Sequence, residues 1–171
     1  DVQPNRLVDT RAPSTVRNTY STFSVDGVRT THSVPVVGRA GVPSAGAGHV
    51  VVTVTGVSGS RSGSGFVAAY EGGAPTPEFS TLNANGTRRG VSDRRANLAV
   101  VPIGADGTIR LLLHNVDDAV VDVVGWFTDA DAAASTDGRF RRLDPVRVVD
   151  TRRRLGFGPL GPGASAAFRY R

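Results

Sequence analysis

Apolar and polar positions alternate with a period of two along much of this chain, in short runs. In His49-Val50-Val51-Val52-Thr53-Val54-Thr55, the side chains of Val50, Val52 and Val54 fall on one face of an extended strand. Thr108-Ile109-Arg110-Leu111-Leu112-Leu113 brings Ile109, Leu111 and Leu113 together in the same way. Further strands are predicted at 6–10, 33–37, 65–71, 79–83, 97–103 and 119–127. Turn signals separate them: Asp26-Gly27, Gly72-Gly73-Ala74-Pro75, Asn85-Gly86 and Asp106-Gly107. No stretch of helical period and helical length lies between these strands. The expected fold class is all-β, an antiparallel β-sandwich (jelly-roll-like) or a barrel.

Composition sharpens this picture. Valine supplies 26 of the 171 residues, and β-branched side chains suit a pleated, half-buried surface. There is no cysteine, which removes disulfides, thiolate metal sites and thiol catalysis together. The longest apolar runs reach four or five residues, against roughly 20 for a membrane helix, so no membrane insertion is expected. The chain also lacks methionine and a leader-like segment, which predicts that Asp1 follows a cleavage or that the chain is an excerpt.

Residues 128–139, around Asp-Ala-Asp-Ala-Ala-Ala-Ser-Thr-Asp-Gly, are small and polar and read as a linker. Beyond them a motif returns. Pro4-Asn5-Arg6-Leu7-Val8-Asp9-Thr10-Arg11 recurs 141 positions later as Pro145-Val146-Arg147-Val148-Val149-Asp150-Thr151-Arg152. The chain is therefore read as a complete β module (1–127), the linker, and the opening strands of a second, incomplete repeat (140–171). Charge divides along the same line. The net charge is +5, and all 20 basic residues are arginine. Residues 139–171 carry a net +7, and residues 1–138 a net −2.

With these motifs in order, residues 4–127 resemble a family of secreted bacterial β modules, common in actinobacteria and often found in tandem. The resemblance is carried by the Pro-x-Arg-x-x-Asp-Thr-Arg opening, Gly41-Val42-Pro43, Val50–Thr55, and Gly65-Phe66-Val67-Ala68-Ala69-Tyr70. It continues through Pro77-Glu78-Phe79-Ser80-Thr81-Leu82-Asn83 and Arg95-Ala96-Asn97-Leu98, to the Asp122-Val123-Val124-Gly125-Trp126-Phe127 close. One departure is Thr53, where such modules usually carry Asn. The resemblance implies a secreted or cell-surface location and an accessory role, with no catalytic residues to carry over.

The candidate site residues begin with the repeated motif. In a strand, Asp9 and Arg11 point to one face and Thr10 to the other. A carboxylate and a guanidinium at that spacing suit bidentate pairing with neighbouring strands. Arg6 and Asp122 are the expected partners, because a charge set among valines is seldom left unpaired. Arg6, Asp9, Thr10, Arg11 and Asp122 are thus expected to form a buried latch between the first and last strands. Arg147, Asp150, Thr151 and Arg152 form its counterpart in the second repeat.

Catalysis, metal and cofactor find little support. His32, His49 and His114 are scattered, the serine-rich stretch 58–64 reads as a loop, and no nucleophile elbow is present. Asp129 and Asp131 resemble the start of a calcium loop, but Ala133 and Phe140 stand where later ligands are needed. Asp117-Asp118 reads as a solvated hairpin tip. Gly156-Phe157-Gly158-Pro159-Leu160-Gly161 matches a dinucleotide-binding pattern by letter only, being interrupted by proline. Asn85-Gly86-Thr87 reads as a turn and not as a glycosylation site.

The expected function is a non-enzymatic structural or assembly module. Its second, partial repeat would dock by strand addition on a neighbouring copy or its own domain. The alternative is a module binding a glycan or cell-wall polymer, stacking it on Tyr20, Tyr70 and Trp126. A hydrolase has the thinnest support. Arginines interleaved with Phe140, Phe157, Phe168 and Tyr170 superficially suit a polyanion, yet orphan strands of a second module explain them better than nucleic acid does.

Overall fold

The alternating pattern folds into eight β-strands: β1 (Asn5–Asp9), β2 (Arg29–Pro35), β3 (Ala47–Ser58), β4 (Ser64–Glu71), β5 (Leu82–Asn85), β6 (Asp93–Pro102), β7 (Thr108–His114) and β8 (Asp118–Thr128). The computed structural model describes residues 4–11, 28–58, 63–85, 93–130, 132 and 147–167. Two compact units result, 1–133 and 134–171, and all eight strands lie in the first.

The strands form two four-stranded sheets, ordered β1-β8-β3-β6 and β2-β7-β4-β5, with every pairing antiparallel. Pairing is nested: first with eighth, second with seventh, third with sixth, fourth with fifth. That is the topology of a jelly-roll sandwich. Among the described strands only β4 and β5 are both consecutive and paired, and the sheets keep their edges, so there is no closed barrel.

The core follows from the period of two. Val50, Val52 and Val54 of β3 face Ile109, Leu111 and Leu113 of β7 across the sandwich in one apolar cluster, all essentially inaccessible to solvent. Each such side chain contributes roughly 1.5–3 kcal/mol by leaving water. The intervening positions of β3, from Val51 to Val57, are only partly buried, as a half-exposed sheet face requires.

Several predicted boundaries move, among them the starts of β2 at Arg29 against the predicted 33 and of β6 at Asp93 against the predicted 97. The fifth strand starts at Leu82 and not at 79, because Pro75 and Pro77 hold the preceding segment out of a ladder to which proline cannot donate. The second strand ends at Pro35, and Val36 and Val37 instead donate their N–H groups to the Gly107 carbonyl at 3.0 and 3.3 Å. In the second unit the described residues contain no strand, although opening strands were expected. Residues 151–154 form a turn closed by an antiparallel bridge between Asp150 and Leu155, with N–H to carbonyl distances of 3.1 and 3.0 Å. A strand requires a partner edge, and no equivalent of β8 stands beside it among the described residues.

One close approach fixes the end of β4 against the β6–β7 turn. The N–H groups of Gly72 and Gly104 both donate to the Thr108 carbonyl, at 3.2 and 2.9 Å. A Cβ added at Gly104 would lie 2.2 Å from the Gly72 carbonyl oxygen. Gly104→Ala is therefore expected to cost on the order of 2 kcal/mol or more, since backbone must move to admit it. Chemical denaturation of the two proteins side by side checks this, and an unchanged midpoint would contradict it.

Candidate functional site

The Arg-x-x-Asp-Thr-Arg motif lies where β1 meets β8. Arg6 stands opposite Asp122 and donates through Nε to Asp122 Oδ1, while its Nη1 donates to Asp9 Oδ2. Arg11 closes on the same carboxylate, with Nε to Asp9 Oδ1 at 2.9 Å and Nη2 to Asp9 Oδ2 at 2.6 Å. The backbone N–H of Arg11 adds a third donor at 3.2 Å. Asp9 is 1% exposed in its side chain, so two guanidinium groups and an amide take the place of its water.

Thr10 ties the strands together from the other side. Its hydroxyl donates to Asp118 Oδ1 at 2.9 Å and accepts from the Ala119 N–H at 2.9 Å. Its own N–H donates to the Ala119 carbonyl at 3.1 Å. Asp118, read from the sequence as part of a solvated tip, is thus a partner of the motif.

Regular alternation would place Arg6 and Asp9, three residues apart, on opposite faces. A bulge between Arg6 and Val8 reverses the alternation once: Arg6 pairs with Asp122, Val8 with Val121 and Asp9 with Val120. Leu7 and Val8 are both buried in the core as a result. The Arg-x-x-Asp spacing is the spacing of a bulged strand. Two consecutive apolar residues, Leu-Val here and Val-Val in the second copy, are its only signal in the sequence.

The second copy repeats the inner half of this network. Arg147 Nη1 donates to Asp150 Oδ2 at 2.7 Å, and Arg152 Nε and Nη2 reach the two Asp150 oxygens at 3.2 Å each. The Arg152 N–H donates to Asp150 Oδ1 at 3.1 Å. The outer half has no counterpart among the described residues: Arg147 meets no second carboxylate and the Thr151 hydroxyl no partner. Arg147 is 58% exposed in its side chain, against 20% for Arg6.

Electrostatics agree in both copies. The Arg11 hydrogen bonds hold the Asp9 carboxyl below the usual carboxylate range, against the opposing pull of burial, and Asp9 in turn raises Arg11. Arg152, followed by Arg147, does the same for Asp150.

A second feature is an open cleft of about 640 Å³ at one margin of the sandwich. Edge strand β6 supplies Asn97, Leu98 and Val100, the end of β4 supplies Tyr70 and Glu71, and the intervening loop supplies Pro75, Pro77 and Phe79. Its floor is pinned: Asn97 Nδ2 donates to the Thr81 carbonyl at 2.8 Å, and the Ala69 N–H to the Thr81 hydroxyl at 2.8 Å. Phe79 is 58% exposed in its wall. The alternation of the sequence places Phe79 in a strand, which hides its place in this wall.

The expected stacking residues do not converge. Tyr70 lines the cleft but is itself mostly buried against Ala68 and Leu112. Trp126 sits part-buried on the other sheet, opposite Val50, and Tyr20 lies outside the described residues. His32 is on β2, His49 on β3 of the other sheet, and His114 packs on the Phe66 ring at 5.1 Å. Among the described residues, no three His, Asp or Glu side chains group so as to hold a metal ion. The serine-rich loop at 59–62, Asp131, and the Asn-Gly turn after Asn85 lie outside the described residues. Comparison with family models, curated proteins and solved structures found no match for this chain.

Asp9→Asn should lower stability by roughly 3 kcal/mol, the scale of breaking a buried ion pair from one side. For a domain of this size that is a fall in melting temperature on the order of 10 °C. The effect is pH-dependent with a definite sign. Because the folded-state pKa lies below the ordinary 3.8, the contribution is complete above about pH 4 and is lost as pH falls through the lower folded value. Thermal melts from pH 7 to pH 2 should show the wild type converging on the variant in acid; parallel curves would remove Asp9 from the account.

Proposed function

We propose that this chain is a non-catalytic structural module of a secreted or cell-surface protein, which assembles through strand addition by its second repeat. The observation that carries this reading is how the two copies of the motif use their charges. In the first copy Arg6, Asp9, Thr10 and Arg11 are engaged within the fold, leaving no free nucleophile or base there. In the second copy the same side chains hold the same inner contacts, but the partners that β8 supplies are missing among the described residues. A motif built to close a sheet, presented without its sheet, favours docking. The location rests on the resemblance to secreted bacterial modules.

Sedimentation velocity of the 171-residue chain is expected to show association that grows with concentration. A strict monomer throughout would sink the assembly reading.

A second reading is favoured by the cleft. It combines Tyr70 and Phe79 rings with the carboxylate of Glu71 and the amide of Asn97, on a volume within the range of small-ligand sites. Three segments that carry the family resemblance meet there, through Tyr70, Thr81 and Asn97. This would suit an accessory module binding a glycan or wall polymer. Phe79→Ala should then abolish binding on a glycan array or in a cell-wall pulldown while leaving the melting temperature within about 1–2 °C, as for an exposed side chain. Undiminished binding by that variant would exclude the cleft.

A further inference from the structure

We propose that the place of β1 against β8 is an exchangeable seat, and that residues 147–152 of a second copy of this chain occupy it in place of the resident strand. This rests on the assembly reading above and names its acceptor. The seat offers four things: the Asp122 carboxylate, the apolar wall at Val121, the Asp118 carboxylate, and the N–H and carbonyl of Ala119. The resident strand answers with Arg6, Val8 and Thr10. Positions 147, 149 and 151 carry the same residues in the same order, and Asp150 stands where Asp9 does. The only change between Arg and Thr is Leu7 to Val148, one methylene smaller.

The second copy is ready for this seat in three respects. Its arginines are already gathered on Asp150, so the inner ion pairs need no rebuilding on insertion and only the pair to Asp122 changes hands. Val148 is 38% exposed where Leu7 is fully buried, so on insertion its apolar surface leaves water in exchange for that of the displaced Leu7. The backbone is also compatible. An extended strand turns successive N–H and C=O groups to opposite edges. Thr10 donates to Ala119, so the N–H and C=O of Asp9 are aimed away from β8. In the second copy the corresponding groups of Asp150 are those that bridge to Leu155. That bridge occupies the edge that would face outward in the seat and leaves Thr151 free to meet Ala119.

Exchange of an identical element between copies adds an interface without inventing one. The resident β1 competes from within its own chain at high effective concentration, so occupancy by a second copy rises with protein concentration and with any loosening of β1.

Equivalent substitutions in the two motifs should therefore act in opposite directions. Measured by sedimentation across a concentration series on the full chain, Arg6→Ala is expected to raise the association constant about tenfold. Arg147→Ala should lower it about tenfold, the scale of one charge-assisted hydrogen bond, and the double variant should fall below the Arg6→Ala value. Thr151→Val is a second route: it removes the hydroxyl meant for Asp118 and Ala119, and it leaves the sandwich and its own strand β1 untouched should Arg6→Ala fold poorly by circular dichroism. Association that ignores Arg147→Ala and Thr151→Val would overturn the seat while leaving assembly through some other edge standing. A wild-type chain and an Arg6→Ala chain that both stay monomeric at every concentration would overturn the seat and the assembly reading together.

Discussion

The structure depends on bringing β1 to β8. Nested pairing means that the strand carrying Arg6 must find one that begins more than 100 residues later. Loop closure over such a distance is entropically costly, and apolar matching alone would leave the register open. A one-residue slip would swap the faces of every side chain in β1. The Arg6–Asp122 pair and the Thr10 contacts to Asp118 and Ala119 hold one register at two points, on either side of the bulge.

Charge is an expensive way to do this. Burying Asp9 costs several kcal/mol before any partner is counted, and a well-packed apolar substitute can be as stable. What the ionic version adds is discrimination. A valine at position 9 would accept many neighbours; an aspartate held by Arg6 and Arg11 accepts only an arrangement that supplies guanidinium groups at both flanks.

Much of the fold was legible because a half-buried sheet writes its period of two directly into the chain. Val50, Val52 and Val54 could be assigned to one face without knowing what they faced. The pairing of Arg6 with Asp122 was also readable, since isolated charges among valines need each other. Three things were not. The bulge at Leu7 leaves no polar mark, only two apolar neighbours that a regular strand would separate. Asp118 looked like a solvated acid because its partner, Thr10, is 108 positions away. The cleft gathers Tyr70, Phe79 and Asn97 from three segments, and no local pattern announces a concavity made by a sheet edge and a proline-held loop.

The charge division takes on a different meaning against this geometry. The net +7 of residues 139–171 sets a long-range field, but at physiological salt that field decays over about 8 Å. It can raise the rate of encounter and cannot choose a partner. Choice falls to contacts within hydrogen-bond reach, and there the arginines are not interchangeable. Arg152 is 83% exposed and pairs within its own turn, while Arg147 stands in the position from which Arg6 reaches another strand. If the proposed exchange is how copies meet, the guanidinium at position 147, together with the neutral hydroxyl of Thr151, is what would carry the specificity. The excess of arginine over lysine fits the same division, because only a planar guanidinium can hold Asp9 through two parallel bonds, as Arg11 does, or span two carboxylates from Nε and Nη1, as Arg6 does.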